Sequence, residues 1–248
     1  WCPVAPTWDQ AEQAYQRRLV GHENVVQGVS WHSDARRCAS CSWDKTIRIF
    51  DSVTGYCEAL LVGHTDSVWC IDWDPTSDHL VSGGLDRTVR VWNTETEECE
   101  GVLRGHLDSV WCVKWSKDAT QIASGSKDKT IRIWSGEDGV LLRILDGHQG
   151  QVYGVAWENN GDGRLCSGGT DNTVRVWNVA DESCLSVFHG HHDWVRSVHW
   201  CITGKVIFSA SADKTIRMWD VSTGACEQVL MGHSEGVWSI GGSSEAIF

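Results

Sequence analysis

A Gly-His dipeptide recurs along the chain at a nearly constant interval, and this interval constrains the fold more than any other feature of the sequence. Successive copies lie 42, 42, 42, 43 and 42 residues apart. The dipeptides begin at Gly21, Gly63, Gly105, Gly147, Gly190 and Gly232. Because a constant period of this length indicates one structural unit repeated along a chain, we expect an array of similar units in one domain.

An aromatic residue follows each of the first five dipeptides in the same phase. It lies twenty-nine residues after the Gly, or thirty in the fourth copy, and the set is Phe50, Trp92, Trp134, Trp177 and Trp219. The extra residue of the fourth copy falls within Glu158 to Arg164, and one insertion in a hairpin loop costs little free energy. The repeats are anchored at 21–51, 63–93, 105–135, 147–178 and 190–220, with partial repeats at 1–20 and 232–248.

The clearest copy, Gly63 to Asn93, combines Gly-His, a later Ser and the segment Asp-x-Thr-Val-Arg-Val-Trp. This combination resembles the WD40-repeat β-propeller family, and the resemblance covers nearly the whole chain. It implies an all-β fold of four-stranded antiparallel blades in a single domain, 1–248, with five complete blades and two half blades. If the half blades pair, the ring has six blades. If each half belongs to its own incomplete blade, the propeller has seven or more blades. In either case we expect the chain to be a fragment of a longer protein.

The first strand of each repeat carries an irregular apolar pattern. In the clearest copy Val68, Ile71 and Trp73 lie five, eight and ten residues after the Gly, and the first interval breaks the alternation of a strand. A β-bulge would restore one buried face and turn the residue six past the Gly outward. The residues at this bulge position are Gln27, Trp69, Trp111, Tyr153, Arg196 and Trp238.

The resemblance also implies a hydrogen-bonded tetrad of His, Ser, Asp and Trp in each blade. The four complete sets are His64, Ser82, Asp86 and Trp92; His106, Ser124, Asp128 and Trp134; His148, Ser167, Asp171 and Trp177; and His191, Ser209, Asp213 and Trp219. The first blade has His22, Ser40 and Asp44 but Phe50, which has no N–H to donate. Ser, His and Asp also form the catalytic triad of hydrolases. A triad occurs once in an enzyme and has an exposed nucleophile, whereas this combination occurs in five repeats, so we predict no catalytic residue.

The predicted partner-binding surface is the top face, where the resemblance places the loop-proximal positions. It comprises the bulge residues Trp69, Trp111, Tyr153, Arg196 and Trp238, together with Trp43, Trp194, Asp66 and Asp108. Because Trp, Tyr and Arg dominate the energetics of interfaces, this aromatic, acid-bordered surface suits a peptide with Arg, Lys or apolar anchors. The alternative is that Trp69, Trp111 and Trp238 simply pack between blades.

The charge balance favours proteins as partners. With 21 Lys and Arg against 33 Asp and Glu, the net charge of −12 repels nucleic acid and anionic lipid surfaces. No apolar run approaches the roughly 18 residues of a membrane span, so we expect no membrane insertion. Repetition of Cys57, Cys99, Cys184 and Cys226 at one position places them too far apart for disulfides and predicts buried thiols in a reducing compartment.

Candidate metal and ligand sites are weak. Cys38 and Cys41 form a single C-x-x-C on a predicted strand between Arg37 and Ser42, without a second pair at zinc spacing. The position nine past the Gly, which should line the channel, holds the unmatched set Ser30, Asp72, Lys114, Ala156 and His199. We predict no metal, no cofactor and no small-molecule substrate.

The predicted function is a non-catalytic scaffold or adaptor that binds other proteins within a multiprotein complex. The alternative is a regulatory or substrate-recruiting domain of a larger enzyme or a ubiquitin-ligase complex. Receptors of the cullin-adaptor type usually carry Arg or Lys three residues after the Trp, where this chain has Glu95 and Glu137 among others. We expect an intracellular, cytoplasmic protein, with a nuclear, ciliary or cytoskeletal complex as alternatives.

Overall fold

The computed structural model describes residues 18–161 and 163–241, and these residues form twenty β-strands. The first sheet consists of β1 Val26–Trp31, β2 Arg37–Ser42, β3 Thr46–Asp51 and β4 Cys57–Val62. The second consists of β5 Val68–Trp73, β6 His79–Gly84, β7 Thr88–Asn93 and β8 Glu98–Arg104. The third consists of β9 Val110–Trp115, β10 Gln121–Ser126, β11 Ile131–Ser135 and β12 Leu141–Leu145.

The last two sheets repeat the same order. The fourth consists of β13 Val152–Trp157, β14 Arg164–Gly169, β15 Val174–Asn178 and β16 Ser183–Phe188, and the fifth of β17 Val195–Trp200, β18 Val206–Ser211, β19 Ile216–Asp220 and β20 Cys226–Leu230. Within each sheet, strands adjacent in sequence are antiparallel neighbours. The predicted all-β repeat of four-stranded antiparallel sheets is therefore confirmed.

The first strands of consecutive sheets lie side by side, β1 against β5, β5 against β9, β9 against β13 and β13 against β17. This stacking is consistent with a propeller, in which first strands line a central channel. Because the strands alternate in direction, the turn between second and third strands lies at the same end of every sheet as the connection into the next sheet. We call this end the upper face.

The predicted β-bulge is present in the first strand of every sheet. The pairing with the second strand skips one residue between Val68 and Cys70, and it skips at the same place in the other four sheets. The skipped residues are Gln27, Trp69, Trp111, Tyr153 and Arg196. A bulge turns the extra residue away from the buried face, so these side chains are not part of the inter-sheet core.

The core lies between sheets, since in the second to fifth sheets the tryptophan that ends the first strand packs onto the preceding sheet. Trp73 is buried, and its Nε1 donates a hydrogen bond to the Ser30 carbonyl, 3.1 Å away. Trp157 Nε1 donates to the Lys114 carbonyl at the same distance. Each sheet is thus completed by the one that follows, as expected for stacked repeats that cannot bury their faces alone.

The first sheet departs from the predicted burial. Val26, Val29 and Trp31, at the apolar positions of its first strand, are 48%, 64% and 58% exposed. The equivalent Val68, Ile71 and Trp73 are 0%, 6% and 5% exposed. The prediction was wrong for this sheet because, among the described residues, no preceding sheet covers it.

Residues 232–241 correct a second expectation, the first strand of a C-terminal half blade. They contain no strand, and instead they lie on the fifth sheet through hydrogen bonds from Val237 N to Ser211 O, 2.9 Å, and from Ile240 N to Ser197 Oγ, 3.3 Å. A strand requires a neighbour that pairs with it along its length, whereas the described residues give this segment a single backbone hydrogen bond, to Ser211. The N-terminal half blade falls largely outside the described residues.

The repeated cysteines also differ from the prediction. Cys57, Cys184 and Cys226 are exposed and Cys99 is half-buried, because each is the first or second residue of the outer strand of its sheet, which has a neighbour on one side only. In three sheets an arginine Nη1 lies 3.7 or 3.8 Å from the sulfur. Within the part of the chain that the structure describes, no helix is long and apolar enough to cross a membrane.

Candidate functional site

The tetrad residues are joined by a continuous chain of hydrogen bonds. In the second sheet His64 Nδ1 lies 2.8 Å from Asp86 Oδ2, His64 Nε2 lies 2.7 Å from Ser82 Oγ, and Trp92 Nε1 donates to Ser82 Oγ at 2.8 Å. The third, fourth and fifth sheets repeat these bonds at 2.7 or 2.8 Å. The first sheet has the two histidine bonds and ends at the buried ring of Phe50.

The protonation of the tetrad follows from these bonds. Burial lowers the pKa of His64, His106 and His191 in spite of the adjacent aspartates, so these rings are neutral. A neutral His64 donates from Nδ1 to Asp86 and accepts the Ser82 hydroxyl proton at Nε2. Burial alone would raise the pKa of Asp86, but hydrogen bonds, His64 first among them, hold it well below its usual range.

The serines of the four complete tetrads lack the exposure that a nucleophile needs. Ser82, Ser124, Ser167 and Ser209 are fully buried, and each hydroxyl is held between a histidine and an indole. A nucleophilic serine must instead reach a substrate carbonyl. The tetrads are therefore structural supports for the upper face, where their histidines and aspartates lie.

On the upper face five aromatic rings form one continuous row across the five sheets, which we call the aromatic arc (Trp43, Trp69, Trp111, Tyr153 and Trp194). Trp43 stacks on Trp69 with ring centroids 5.9 Å apart, and Trp69 meets Trp111 edge to face at 4.6 Å. Tyr153 then stacks on Trp111 at 5.5 Å and on Trp194 at 6.2 Å. All four contacts have the offset or edge geometries that aromatic pairs prefer.

Exposure along the arc rises towards its ends. Trp43 and Trp194 are 39% and 42% exposed, whereas Trp69, Trp111 and Tyr153 are half-buried. The alternative in which the central rings pack between blades describes part of the arrangement, since these rings pack on one another. The arc nonetheless forms a shared surface across the sheets, because the bulges hold its central rings outside the inter-sheet core.

Arg196 lies at the fifth-sheet end of the arc. Its guanidinium carbon lies 4.4 Å from the ring centroid of Tyr153, 4.8 Å from that of Trp194 and 4.3 Å from that of Trp238, a residue that is 64% exposed. Such distances fall within the range of cation–π attraction. The bulge residues of the fourth and fifth sheets and Trp238 are therefore brought together around one positive charge.

The two acidic residues of the predicted surface lie beside the arc but differ in their surroundings. Asp66 is exposed and accepts a hydrogen bond from the Ser67 amide at 2.7 Å. Asp108 accepts from the Ser109 amide and lies 3.4 Å from Lys127 Nζ, so part of its charge is compensated. The acidic border is therefore weaker at the third sheet than the sequence suggests.

Below the arc, a cavity of about 650 Å³ opens between the first strands. Lys114 and Asp72, both from the unmatched channel set, form an ion pair there, with Nζ 2.5 Å from Oδ1. Burial, followed by the charge of Lys114, lowers the pKa of the nearby His199, and burial raises the pKa of Cys112 to about 12. The Lys114–Asp72 pair is thus compensated, and the charged residues Lys117, Glu158 and Arg196 also line the cavity.

No group of three His, Cys, Asp or Glu side chains in residues 18–161 and 163–241 is arranged to hold a metal ion. Cys38 and Cys41 lie on β2 as predicted, and both are buried. Burial raises the pKa of Cys41 to about 12, which disfavours the thiolate that binds metals. This pair therefore has the character of a packed element of the core.

Five stacked four-stranded sheets, four of them with a complete tetrad, are consistent with a repeat protein of the propeller class. A family model described as WD domain, G-beta repeat (WD40) matches residues 13–51, 55–93, 97–135, 139–178 and 182–220. The chain belongs to the WD40-repeat family. Domains of this family typically are non-catalytic and generally mediate interactions between proteins.

Sequence reasoning selected the members of the arc but missed their connections. It did not identify Gln151, whose side-chain oxygen accepts a hydrogen bond from Trp111 Nε1 at 3.0 Å. It also missed the Lys114–Asp72 pair, although both residues lie nine past a Gly and face the same channel. That shared repeat position was the available signal.

Proposed function

We propose that the upper face docks segments of partner proteins and that the aromatic arc is the main contact surface. The observation that carries this proposal is the unbroken series of ring contacts from Trp43 to Trp194. Large aromatics supply contact area at low entropic cost, and exposed apolar patches of this extent mark interaction sites. In this role the chain is a scaffold or adaptor within a multiprotein complex.

The rigidity of the surface supports the same role. Each bulge residue is fixed by its strand, and the flanking loops are held by the tetrad, as where Thr65 N donates to Asp86 Oδ2 at 3.0 Å. Lys45 Nζ and Lys214 Nζ donate to carbonyls of the following repeat, Thr65 O at 3.0 Å and Ser234 O at 2.7 Å. A preorganised surface loses less conformational entropy when a partner binds.

We also propose that the stack closes into a ring through at least one further blade between the fifth and the first sheets. The exposure of Val29 and Trp31, 64% and 58%, supports this arrangement, because the same positions are covered in the sheets that have a predecessor. The segment 232–241 on the fifth sheet lies where that blade would begin. A six-bladed ring and a larger one both accommodate it.

The test of partner docking is an affinity capture from lysate with three forms of the domain. Trp194→Ala combined with Trp238→Ala removes exposed rings at one end of the arc, and Trp43→Ala removes the ring at the other end. Tyr56→Ala is the matched control, since Tyr56 is 75% exposed and lies in the β3–β4 connection at the opposite end of the sheet. Near-UV circular dichroism checks that each form is folded.

The proposal predicts that specific partners are lost from the arc variants and retained by Tyr56→Ala. Truncation of a central interface aromatic typically costs about 2 kcal/mol or more of binding free energy, roughly a thirtyfold loss of affinity. Retention of every partner by folded arc variants would place the interaction elsewhere on the molecule.

A further inference from the structure

The charge of Arg196 has no acidic counterpart in the part of the chain that the structure describes. Among the described residues its guanidinium makes no ion pair and no hydrogen bond, and its Nε is shielded from solvent without an acceptor. Arg37 and Arg164, by contrast, contact carboxylates directly. The guanidinium of Arg196 is therefore positioned by aromatic rings alone, at 4.3 to 4.8 Å from three of them.

The location of Arg196 makes this charge available to a ligand. Arg196 lines the cavity below the arc, and the adjoining Trp238 and Trp194 are 64% and 42% exposed. Rings on several sides displace water from the guanidinium, and a poorly hydrated charge attracts an oppositely charged group more strongly than a hydrated one. The rings also fix the plane of the guanidinium, which preorganises its hydrogen-bond donors.

From these observations we propose that Arg196 is an anion-binding site on the upper face and that its ligand is a carboxylate carried by a partner segment beside apolar side chains. The carboxylate accepts hydrogen bonds from the Nη groups of Arg196, while the neighbouring apolar groups contact Trp194 and Trp238. This inference rests on the proposed docking function and reverses the charge that the sequence suggested for a partner, because the cation of the aromatic site is supplied by the chain itself.

A carboxylate fits this site better than a phosphate. One guanidinium matches the single charge and the two oxygens of a carboxylate, whereas a phosphate group carries nearly two charges and is usually met by several arginines. Asp193 directly precedes Trp194 and Glu235 lies three residues before Trp238 in the sequence, while Lys214 already donates to the Ser234 carbonyl. The neighbouring acids disfavour a highly charged anion more than a singly charged one.

The test uses a phage-displayed library of random twelve-residue peptides, selected on the intact domain. We expect the selected peptides to share an Asp or Glu next to aromatic or aliphatic residues. Replacing that acid by its amide should weaken Kd at least tenfold on the wild type but less than twofold on Arg196→Met, which keeps an unbranched apolar chain between the rings. Arg196→Lys, which keeps the charge without the planar donors, should bind with intermediate affinity.

Arg143→Met is the matched control, because Arg143 lies on an outer strand, 3.4 Å from Glu182, and it should leave Kd within twofold of the wild type. Near-UV circular dichroism and the thermal midpoint establish that each variant is folded. If Arg196→Met does not fold, the amide replacement in the peptide and the Arg196→Lys variant still test the assignment.

Three results would overturn the proposal: selected peptides that share Lys or Arg, an acid-to-amide loss that is equal on wild type and Arg196→Met, or a phosphoserine form that binds over tenfold tighter than the glutamate form. If these results appear while Trp194→Ala still abolishes binding, the carboxylate assignment fails and the docking function stands. A selection that enriches no peptide over bare support overturns the proposal and counts against the docking function too.

Discussion

The indole Nε1 of Trp134 donates a hydrogen bond to the hydroxyl of Ser124 at 2.8 Å, inside the core of the third sheet. The same hydroxyl lies 2.8 Å from Nε2 of His106, so one buried Ser side chain joins a strand to a loop on the upper face. In the first sheet Phe50 occupies the tryptophan position and cannot make this bond. The molecule therefore contains its own comparison between a complete and an incomplete tetrad.

Replacing Trp134 by Phe and Phe50 by Trp should change the stability of the protein in opposite directions. Trp134→Phe leaves the Ser124 hydroxyl without its buried donor and should lower the free energy of unfolding by about 2 kcal/mol. Phe50→Trp restores a donor to Ser40 and should raise it by about 1 kcal/mol. Urea denaturation followed by circular dichroism measures both, and a destabilising Phe50→Trp would show that the first sheet has no room for the indole.

Cys112 and Gly125 lie opposite each other on neighbouring strands, and exchanging the two residues tests how tightly this position is packed. A Cβ on Gly125 would lie 2.6 Å from Cys112 Sγ, whereas the first sheet has the reverse pair, Gly28 opposite Cys41. Gly125→Ala should therefore cost about 1 to 3 kcal/mol through overpacking. Adding Cys112→Gly should recover part of that loss in the double variant, as measured by urea denaturation.

The control for this swap is Gly241→Ala, where a Cβ would meet nothing within 4 Å and stability should stay unchanged within about 0.5 kcal/mol. If the double variant loses the full sum of the two single losses, the contact with Cys112 is not the source of the strain, and Val152, 2.7 Å from the same Cβ position, would become the main cause.

Stability should fall with acidity in two steps. The lowered pKa of buried His64, His106 and His191 means that the unfolded chain takes up protons first, so stability is lost as pH falls below about 6.5. The depressed pKa of the tetrad aspartates adds a second loss below about pH 4.

Thermal midpoints recorded between pH 8 and pH 3 test this order. His106→Gln should remove part of the first step and only the share of the second step that Asp128 owes to His106. A thermal midpoint that is higher at pH 5 than at pH 7 would contradict the assignment of neutral, buried tetrad histidines.

The buried ion pair between Glu158 and Arg164 should hold the longer loop of the fourth sheet in place. The Glu158 side chain is fully buried, and its two oxygens accept from Arg164 at 2.6 and 2.7 Å. Glu158→Gln should lower the free energy of unfolding by about 1.5 to 3 kcal/mol, because it replaces a buried carboxylate that accepts two charge-assisted hydrogen bonds. Glu137→Gln, in an exposed loop of the third sheet, serves as the control and should change stability by less than about 0.5 kcal/mol in urea denaturation.

Local features of the fold were predictable from the sequence because the same residue pattern recurs in every copy of the repeat. The bulge between Val68 and Cys70 follows from an apolar interval that recurs in five strands, and β2 has the predicted bounds Arg37–Ser42. Burial that depends on a neighbouring sheet was less predictable. Trp31 fits the repeat pattern fully, yet its exposure is decided by what lies before the first sheet.

The surface was predictable as a set of positions but not as an arrangement. Repeat phase identifies Trp69, Tyr153 and Arg196 as equivalent, but it carries no distances or ring angles. The position of the Arg196 guanidinium against Trp238, forty-two residues later, depends on how two consecutive repeats approach each other. For the same reason a peptide with basic anchors was a reasonable expectation before the structure showed a cation already present among the rings.

The bulge gives every sheet one residue that strand pairing skips and that the inter-sheet core does not use. Glutamine, tryptophan, tyrosine and arginine occupy this position in the five sheets, while the pairing around it is unchanged. Under the proposed docking function, stability and recognition therefore depend on different residues of the same strand. A chain built in this way can acquire a new binding preference by substitution at a few sites, while its strand pairing and inter-sheet core stay unchanged.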